Sequence, residues 1–401
     1  MNGPMEGIRV VELGVWVAGP CAGMILADWG AEVIKVEPPG GDPYREIFSV
    51  SAGVDVETNP PFEMDNRGKR SITVDISKPE GAAIVADLAA EADVFVTNAR
   101  VPALERAGLD YEDLAARNPR LIYARVTGFG EDGPDRDRAA YDVGAFWARA
   151  GVVASLTPDG SEPPFQRGGM GDHLTGLALA SGIAGALYAR EKTGRGQMVS
   201  TSLLRSGIYF MGFDINTVLR LGFSWPPQTR RTLGNPLMSS FRTGDNRWFW
   251  LIGLEADRHW PKLCRAVDRT DWLEDPRLAN VASRAKHATE LYDALDEIFA
   301  GGSLDEWGAR LDEQDVWWAP VQTTEDVTAD PQAHAAGAFT GVPLSDGTSA
   351  LMVASPVDYS ADSWSVRRPA PENGEHTDEV LETAGVDASR RAELRKRGVI
   401  G

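Results

Sequence analysis

Ile8-Arg9-Val10-Val11-Glu12-Leu13 decides the fold, together with the next three segments of the chain: Gly14 to Gly19-Pro20, Cys21 to Trp29, and Glu32-Val33-Ile34-Lys35-Val36-Glu37. The first stretch is short, β-branched and closed by glycine, which reads as a buried strand. Gly14 to Pro20 reads as a turn. Cys21 to Trp29 then reads as a short helix, with Gly30 suited to its C-cap. Glu32 to Glu37 is a second strand, stopped by Pro38-Pro39-Gly40-Gly41. A strand, a loop, a helix and a strand in this order make the unit from which parallel sheets are built.

The pattern continues along the chain. Ser71 to Asp75 predicts a strand, Lys78 to Ala90 a helix with Pro79 suited to its first turn, and Val94 to Thr97 a strand. Leu104 to Arg117 predicts a helix, and Leu121 to Val126 a strand. Such alternation predicts a Rossmann-like, doubly wound α/β domain. Leu174 to Lys192 predicts a helix in which Gly176, Ala180 and Ala184 fall four apart, as do Ala178, Gly182 and Ala186. Small residues at that spacing let another backbone pack closely. Thr193 to Gln197 reads as a turn before an element starting at Met198. The character changes near residue 222, where Phe223-Ser224-Trp225-Pro226-Pro227 reads as a linker. Trp248 to Ile252 predicts a strand and Leu304 to Glu313 a helix. The expected division is a large α/β domain over 1–222, a smaller α+β domain over 223–330, and a segment over 331–401 that returns to the large domain. Leu351 to Val353 is a strand candidate in that segment.

Composition narrows the function. The 401 residues are 43% hydrophobic and 25% charged, the balance of a soluble globular protein. Lys plus Arg is 40 against 59 Asp plus Glu, a formal charge of -19, which argues against nucleic acid as a partner. No stretch is long and apolar enough for a membrane span, and no signal segment opens the chain; the expected location is the cytoplasm. Two cysteines, Cys21 and Cys264, form no CxxC pair, and five histidines show no ligand spacing, so no metal is expected. Cys21 reads as a buried small residue.

Gly128-Phe129-Gly130-Glu131-Asp132-Gly133 follows a strand, as a dinucleotide fingerprint does. Its acidic residues fall where a pyrophosphate would bind, and no small-residue helix comes after it, so nicotinamide and flavin are not expected. No GxxxxGK[ST] or GxSxG string occurs. Arg67, Lys69 and Arg70 precede a strand and Arg100 follows one. Ligands of open α/β sheets bind beyond strand C-termini, which favours Arg100 as a phosphate partner. Gly168-Gly169-Met170-Gly171-Asp172-His173 sets one carboxylate between a glycine turn and a helix. As the N-cap, Asp172 would accept backbone N–H bonds and face the positive helix end, and both effects predict an ionised carboxylate. Local residues leave two readings open, an N-cap and a nucleophile.

Several segments together resemble the class III CoA-transferase family, which includes formyl-CoA, carnitine and phenyllactate CoA-transferases and α-methylacyl-CoA racemase. The matching residues are Gly7 to Leu13, Ala18-Gly19-Pro20, Ala27 to Glu37, Asn66 to Ile72 and Asn118 to Tyr123. Gly171-Asp172, Lys192 to Gln197, Asp330-Pro331-Gln332 and Pro371 to Thr377 complete the set, in order. The resemblance implies an interlocked homodimer and Asp172 as a covalent nucleophile that carries CoA as an aspartyl thioester. Acyl-CoA and a carboxylic acid are the implied substrates, with no tightly bound cofactor. Gly169 and Gly171 are the implied backbone oxyanion donors. Val17, Ala18, Lys35, Arg67, Lys69, Asn98 and Arg100 are the implied CoA-binding residues. Ala99 stands where the family carries an aromatic, so base stacking there is not expected. Leu233-Gly234-Asn235-Pro236 lacks the family's tetraglycine loop, which disfavours formyl and oxalyl groups.

The racemase branch has a His in the segment that reads Ala140-Tyr141-Asp142 here, and a tyrosine with a pKa near 10 is a poor base at neutral pH. A transferase is therefore preferred, with a racemase as the alternative and a non-catalytic CoA-binding protein as the second. Trp16, Tyr141, Phe146, Trp147 and Glu255 are the expected acyl-pocket residues, and the segment Tyr141 to Arg149 resembles that of transferases acting on aromatic or larger acyl groups, which implies such a group here.

Overall fold

Six strands, all paired in parallel, frame the first of two units: β1 (Arg9–Leu13), β2 (Glu32–Glu37), β3 (Arg70–Thr73), β4 (Val94–Thr97), β5 (Ile122–Thr127) and β6 (Gln197–Ser202). Their spatial order is β3-β2-β1-β4-β5-β6. The chain therefore winds one way from β1 and then the other, and the direction reverses between β1 and β4. This computed structural model describes residues 3–401. The first unit holds the residues up to Ala154, Pro164–Ser224 and Gly337–Gly401; the second holds Ser155–Pro163 and Trp225–Ala336.

The helices of the first unit are α1 (Ala18–Asp28), α2 (Ile47–Ala52), α3 (Pro60–Asn66), α4 (Pro79–Ala90), α5 (Val101–Ala107) and α6 (Tyr111–Arg117). After a π-helical turn (Val143–Arg149) come α7 (Val152–Leu156), whose last two residues are counted in the second unit, α8 (Met170–Thr193), α9 (Leu203–Phe210) and α10 (Gly212–Leu221). Both sheet faces are covered, so strand residues are buried on both sides. Val10, Val94, Val96, Ile122 and Ala124 point into one core with α1 and α8, while Val11, Phe95 and Tyr123 point into the other. Every residue of α1 is buried. Its close approach to α8 depends on Gly176, where a Cβ would stand 2.8 Å from Cys21 Sγ.

Three elements depart from expectation. Helix α1 begins at Ala18 rather than Cys21, because a proline in the first helical turn gives up an N–H that has no partner there. The single helix expected over Leu104 to Arg117 is two helices, broken where Gly108 takes a left-handed conformation with φ 63°. Helix α8 begins at Met170 with Gly169 as its N-cap, so Asp172 lies inside the first turn.

In the second unit β7 (Ser240–Arg242), β8 (Trp248–Leu251) and β9 (Trp318–Pro320) form an antiparallel sheet. Its core is aromatic: Phe241, Phe249, Tyr292 and Phe299 are all fully buried. A two-stranded antiparallel pair, β10 (Phe339–Pro343) with β11 (Ser349–Val353), belongs to the first unit. Ile400 bridges to Val74, beyond the end of β3. Among the described residues no helix is long and apolar enough to cross a membrane.

Candidate active site

A pocket of about 340 Å³ opens beyond the C-terminal ends of β1, β4 and β5, where the winding direction reverses. Trp16 lines it from the loop after β1, Ala18 from the start of α1, and Asn98 and Arg100 from the loop after β4. Arg136, Arg138, Tyr141 and Asp142 come from the loop after β5, and Asp172 from α8. The structure thus brings together Trp16, Ala18, Asn98, Arg100, Tyr141 and Asp172. Arg136 and Arg138 were not singled out from the sequence, although both stand just beyond the glycine-rich loop.

Asp172 is partly exposed and its acidity is abnormal. Burial first, then the charge of Asp142, pushes its carboxyl up to about 7; Asp65 adds to this and His173 opposes it. This reverses the ionisation expected of an N-cap. The position inside the helix removes the capping geometry, and desolvation with like charge outweighs the helix dipole. Asp142 is buried, and its Oδ2 accepts the Gly171 N–H at 3.0 Å. That donor, expected to face an oxyanion, is taken up by Asp142. A side chain at Gly171 would overlap Asp142 and Phe146, so only glycine lets the two segments meet. Gly169 is the left-handed residue that starts the helix, with φ 80°.

The loop after β1 is tied down atom by atom. Asn98 accepts the Val15 N–H at 3.0 Å and donates to the Val15 carbonyl at 2.7 Å. Trp16 has φ 65°, an uncommon conformation for a tryptophan. Its N–H donates to Asp42 Oδ1 at 3.0 Å. The Trp16 ring lies 5.5 Å from that of Tyr141, edge to face, and 6.2 Å from that of Tyr44. Tyr44, which follows the Pro-Gly stop of the second strand, packs behind Trp16 and does not line the pocket.

Three expected CoA-binding cations do not reach the pocket. Lys35 is fully buried and pairs with Asp42 at 2.8 Å and Glu12 at 3.3 Å. Lys69 is fully buried on Glu12, also at 2.8 Å, and donates to the Pro20 carbonyl. Arg67 pairs with Asp28 at 2.7 Å and donates to the Val353 carbonyl. The register explains the first pair, since Glu12 and Lys35 are neighbours on β1 and β2. Desolvation lowers Lys69 to about 8 against the pull of Glu12. Val17 is buried at the start of α1. Phe146 and Trp147 are core residues rather than pocket walls, 3% and 7% exposed, because the π-helical turn faces them inward. Glu255 is exposed in the second unit and pairs with Arg258 at 2.8 Å.

The CoA-transferase family III profile matches residues 5–377. The chain is 37% identical over 389 residues to a (R)-2-hydroxy-4-methylpentanoate CoA-transferase of Clostridioides difficile, covering 96% of each. It is 34% identical to a cinnamoyl-CoA:phenyllactate CoA-transferase of Clostridium sporogenes, over 98% of this chain and 96% of that one. The crystal structure of a CaiB/BaiF family protein from Brucella suis superposes with a TM-score of 0.84 at 32% identity, covering 96% of this chain and all of the other. The chain belongs to CoA-transferase family III and is an enzyme of the CoA-transferase type.

Proposed function

We propose that this family member is a cytoplasmic, homodimeric acyl-CoA:carboxylate CoA-transferase that works through a covalent aspartyl-CoA thioester on Asp172. The observation that carries the reading is the position of Asp172: a carboxylate lining the pocket at the point where the sheet reverses direction. The Asp172 carboxylate attacks the thioester carbonyl, the C–S bond breaks, and CoA thiolate leaves a mixed anhydride. The thiolate then attacks the Asp172 carbonyl, which frees the donor carboxylate and leaves the aspartyl-CoA thioester. An acceptor carboxylate runs the same two steps in reverse. Each attack by Asp172 requires its ionised form, which the pocket makes available around neutral pH.

Arg100, Arg136 and Arg138 are exposed at the pocket and suit the phosphates of CoA, with Ala18 and the Asn98-held loop beside them. Trp16 and Tyr141 supply apolar walls suited to a larger or aromatic acyl group. Exposed Tyr209, Phe210, Phe213, Leu219 and Leu221 give α9 and α10 an apolar face that supports pairing with a second copy. The test is intact-protein mass spectrometry after incubation with cinnamoyl-CoA and a panel of other acyl-CoAs. The expected result is a CoA adduct that maps to Asp172, is lost on adding a carboxylic acid, and is absent in Asp172→Asn. An adduct that persists in Asp172→Asn, or solvent deuterium entering the acyl α-carbon without any adduct, overturns the reading.

A further inference from the structure

Asp65, the penultimate residue of α3, is fully buried. Its Oδ1 lies 3.1 Å from His173 Nε2, and among the described residues its Oδ2 has no hydrogen-bond partner. The nearby cations are committed elsewhere: Lys69 to Glu12 and Arg67 to Asp28. A buried carboxylate without a matched cation is costly, so this site favours an imidazolium on His173. The imidazole is 37% exposed and stands against Gly169, where a Cβ would sit 3.0 Å from its Cε1. His173 directly follows Asp172 in the first turn of α8.

We propose that the Asp65–His173 pair is a positioning device that fixes one positive charge directly beside the Asp172 carboxylate. It rests on reading Asp172 as the nucleophile. Asp142 faces the group from the start of the π-helical turn, Asp65 from α3, Cys21 from α1, and Tyr44 from the segment after β2. Burial raises both the Cys21 thiol and the Tyr44 hydroxyl, so neither is charged at neutral pH. Lys69 also faces Asp65 and Cys21, but its charge is matched by Glu12. Arg100, Arg136 and Arg138 line the pocket but are exposed, and the charges that act on the Asp172 carboxyl are those of Asp142, His173 and Asp65, so His173 is the cation that offsets the three carboxylates. Burial alone would lower its pKa, yet the hydrogen bond and charge of Asp65, with Asp172 and Asp142, raise it above the usual imidazole value.

Two measurements on the full-length enzyme test the pair. The first follows the imidazole protons by NMR across pH, which five histidines make assignable. His173 is expected to titrate above about 6.5, the unperturbed value, and to fall in Asp65→Asn. The second follows single-turnover formation of the CoA adduct from cinnamoyl-CoA. Loss of an opposite charge close by is worth about one pH unit, so in His173→Gln the acid limb moves up by that amount. The rate at pH 6 then falls about tenfold, while the rate at pH 9 and the KM for cinnamoyl-CoA are unchanged. His173→Lys restores the wild-type limb. A His173 that titrates at or below the ordinary value, or an unmoved limb in His173→Gln while Asp172→Asn still abolishes the adduct, overturns the inference alone. An adduct that survives Asp172→Asn overturns the underlying reading instead.

Discussion

Asp142→Asn should make the enzyme more active in acid. The Asp142 carboxylate holds the Gly171 N–H at 3.0 Å, and asparagine offers an amide oxygen to the same donor, so the turn keeps its bond. What disappears is a negative charge next to Asp172, the second cause of its raised pKa after burial. With a pKa of about 7, Asp172 is about one-tenth ionised at pH 6. Removing a like charge at this range lowers a carboxyl by about one unit, which makes it about half ionised at pH 6. Adduct formation at pH 6 should therefore rise about fivefold, with almost no change at pH 8, where Asp172 is already ionised in both proteins. The assay is single-turnover adduct formation from cinnamoyl-CoA between pH 5.5 and 8.5, in about 0.15 M salt so that distant charges are screened. An acid limb that stays in place, or moves to higher pH, refutes the assignment of Asp142 as the charge that suppresses Asp172.

The buried cations make further predictions. Arg67→Met strands Asp28 without its partner and should cost about 3–5 kcal/mol in urea unfolding; normal stability with a raised KM for acyl-CoA would instead place Arg67 on the nucleotide. Gly23→Ala drives a methyl group into Glu12 Oε2, the carboxylate shared by Lys35 and Lys69, and should cost at least about 3 kcal/mol. A wild-type urea midpoint would contradict that packing. Trp16→Gly relieves about 1 kcal/mol of left-handed backbone strain while removing a pocket wall. Its Tm should shift little while the kcat/KM ratio of cinnamoyl-CoA to acetyl-CoA falls; an unchanged ratio would show that Trp16 does not face the acyl group.

Local sequence carried the parallel frame because its strands are short apolar runs rich in β-branched residues between polar or turn-forming residues, as in Val94 to Thr97 between Asp93 and Asn98, and Glu32 to Glu37 before Pro38. It failed where one residue type serves two structures. Pro20 reads as a turn but sits within the first turn of α1, and Gly108 reads as tolerated in a helix but ends one. At the site, the chemical identity of Asp172 was visible while its ionisation was not. That depends on Asp142 and Asp65, which lie 30 and 107 residues away in sequence and meet it only after folding. The burial of the basic residues was hidden for a related reason. Lys35, Arg67 and Lys69 resemble ligand contacts until the register sets Glu12 beside Lys35 and the packing of α1 brings Asp28 to Arg67.

Those buried charges still reach the pocket, through Asp42. One of its oxygens takes Lys35 Nζ at 2.8 Å, and the other accepts the N–H groups of Trp16 and Tyr44, each at 3.0 Å. Lys35 in turn donates to Glu12 and to the Gly14 carbonyl at the end of β1. A continuous set of charge-assisted bonds therefore runs from the sheet to the backbone that presents both aromatic rings. Backbone strain at Trp16 persists only where its surroundings hold it, and this set, with the Asn98 clamp on Val15, is what holds it. A buried ion pair adds little net stability compared with a well-packed apolar pair. Its value here is geometric: the Lys35–Asp42 bond fixes where Trp16 and Tyr44 stand, and so sets the Trp16 wall of the pocket from residues that do not line it.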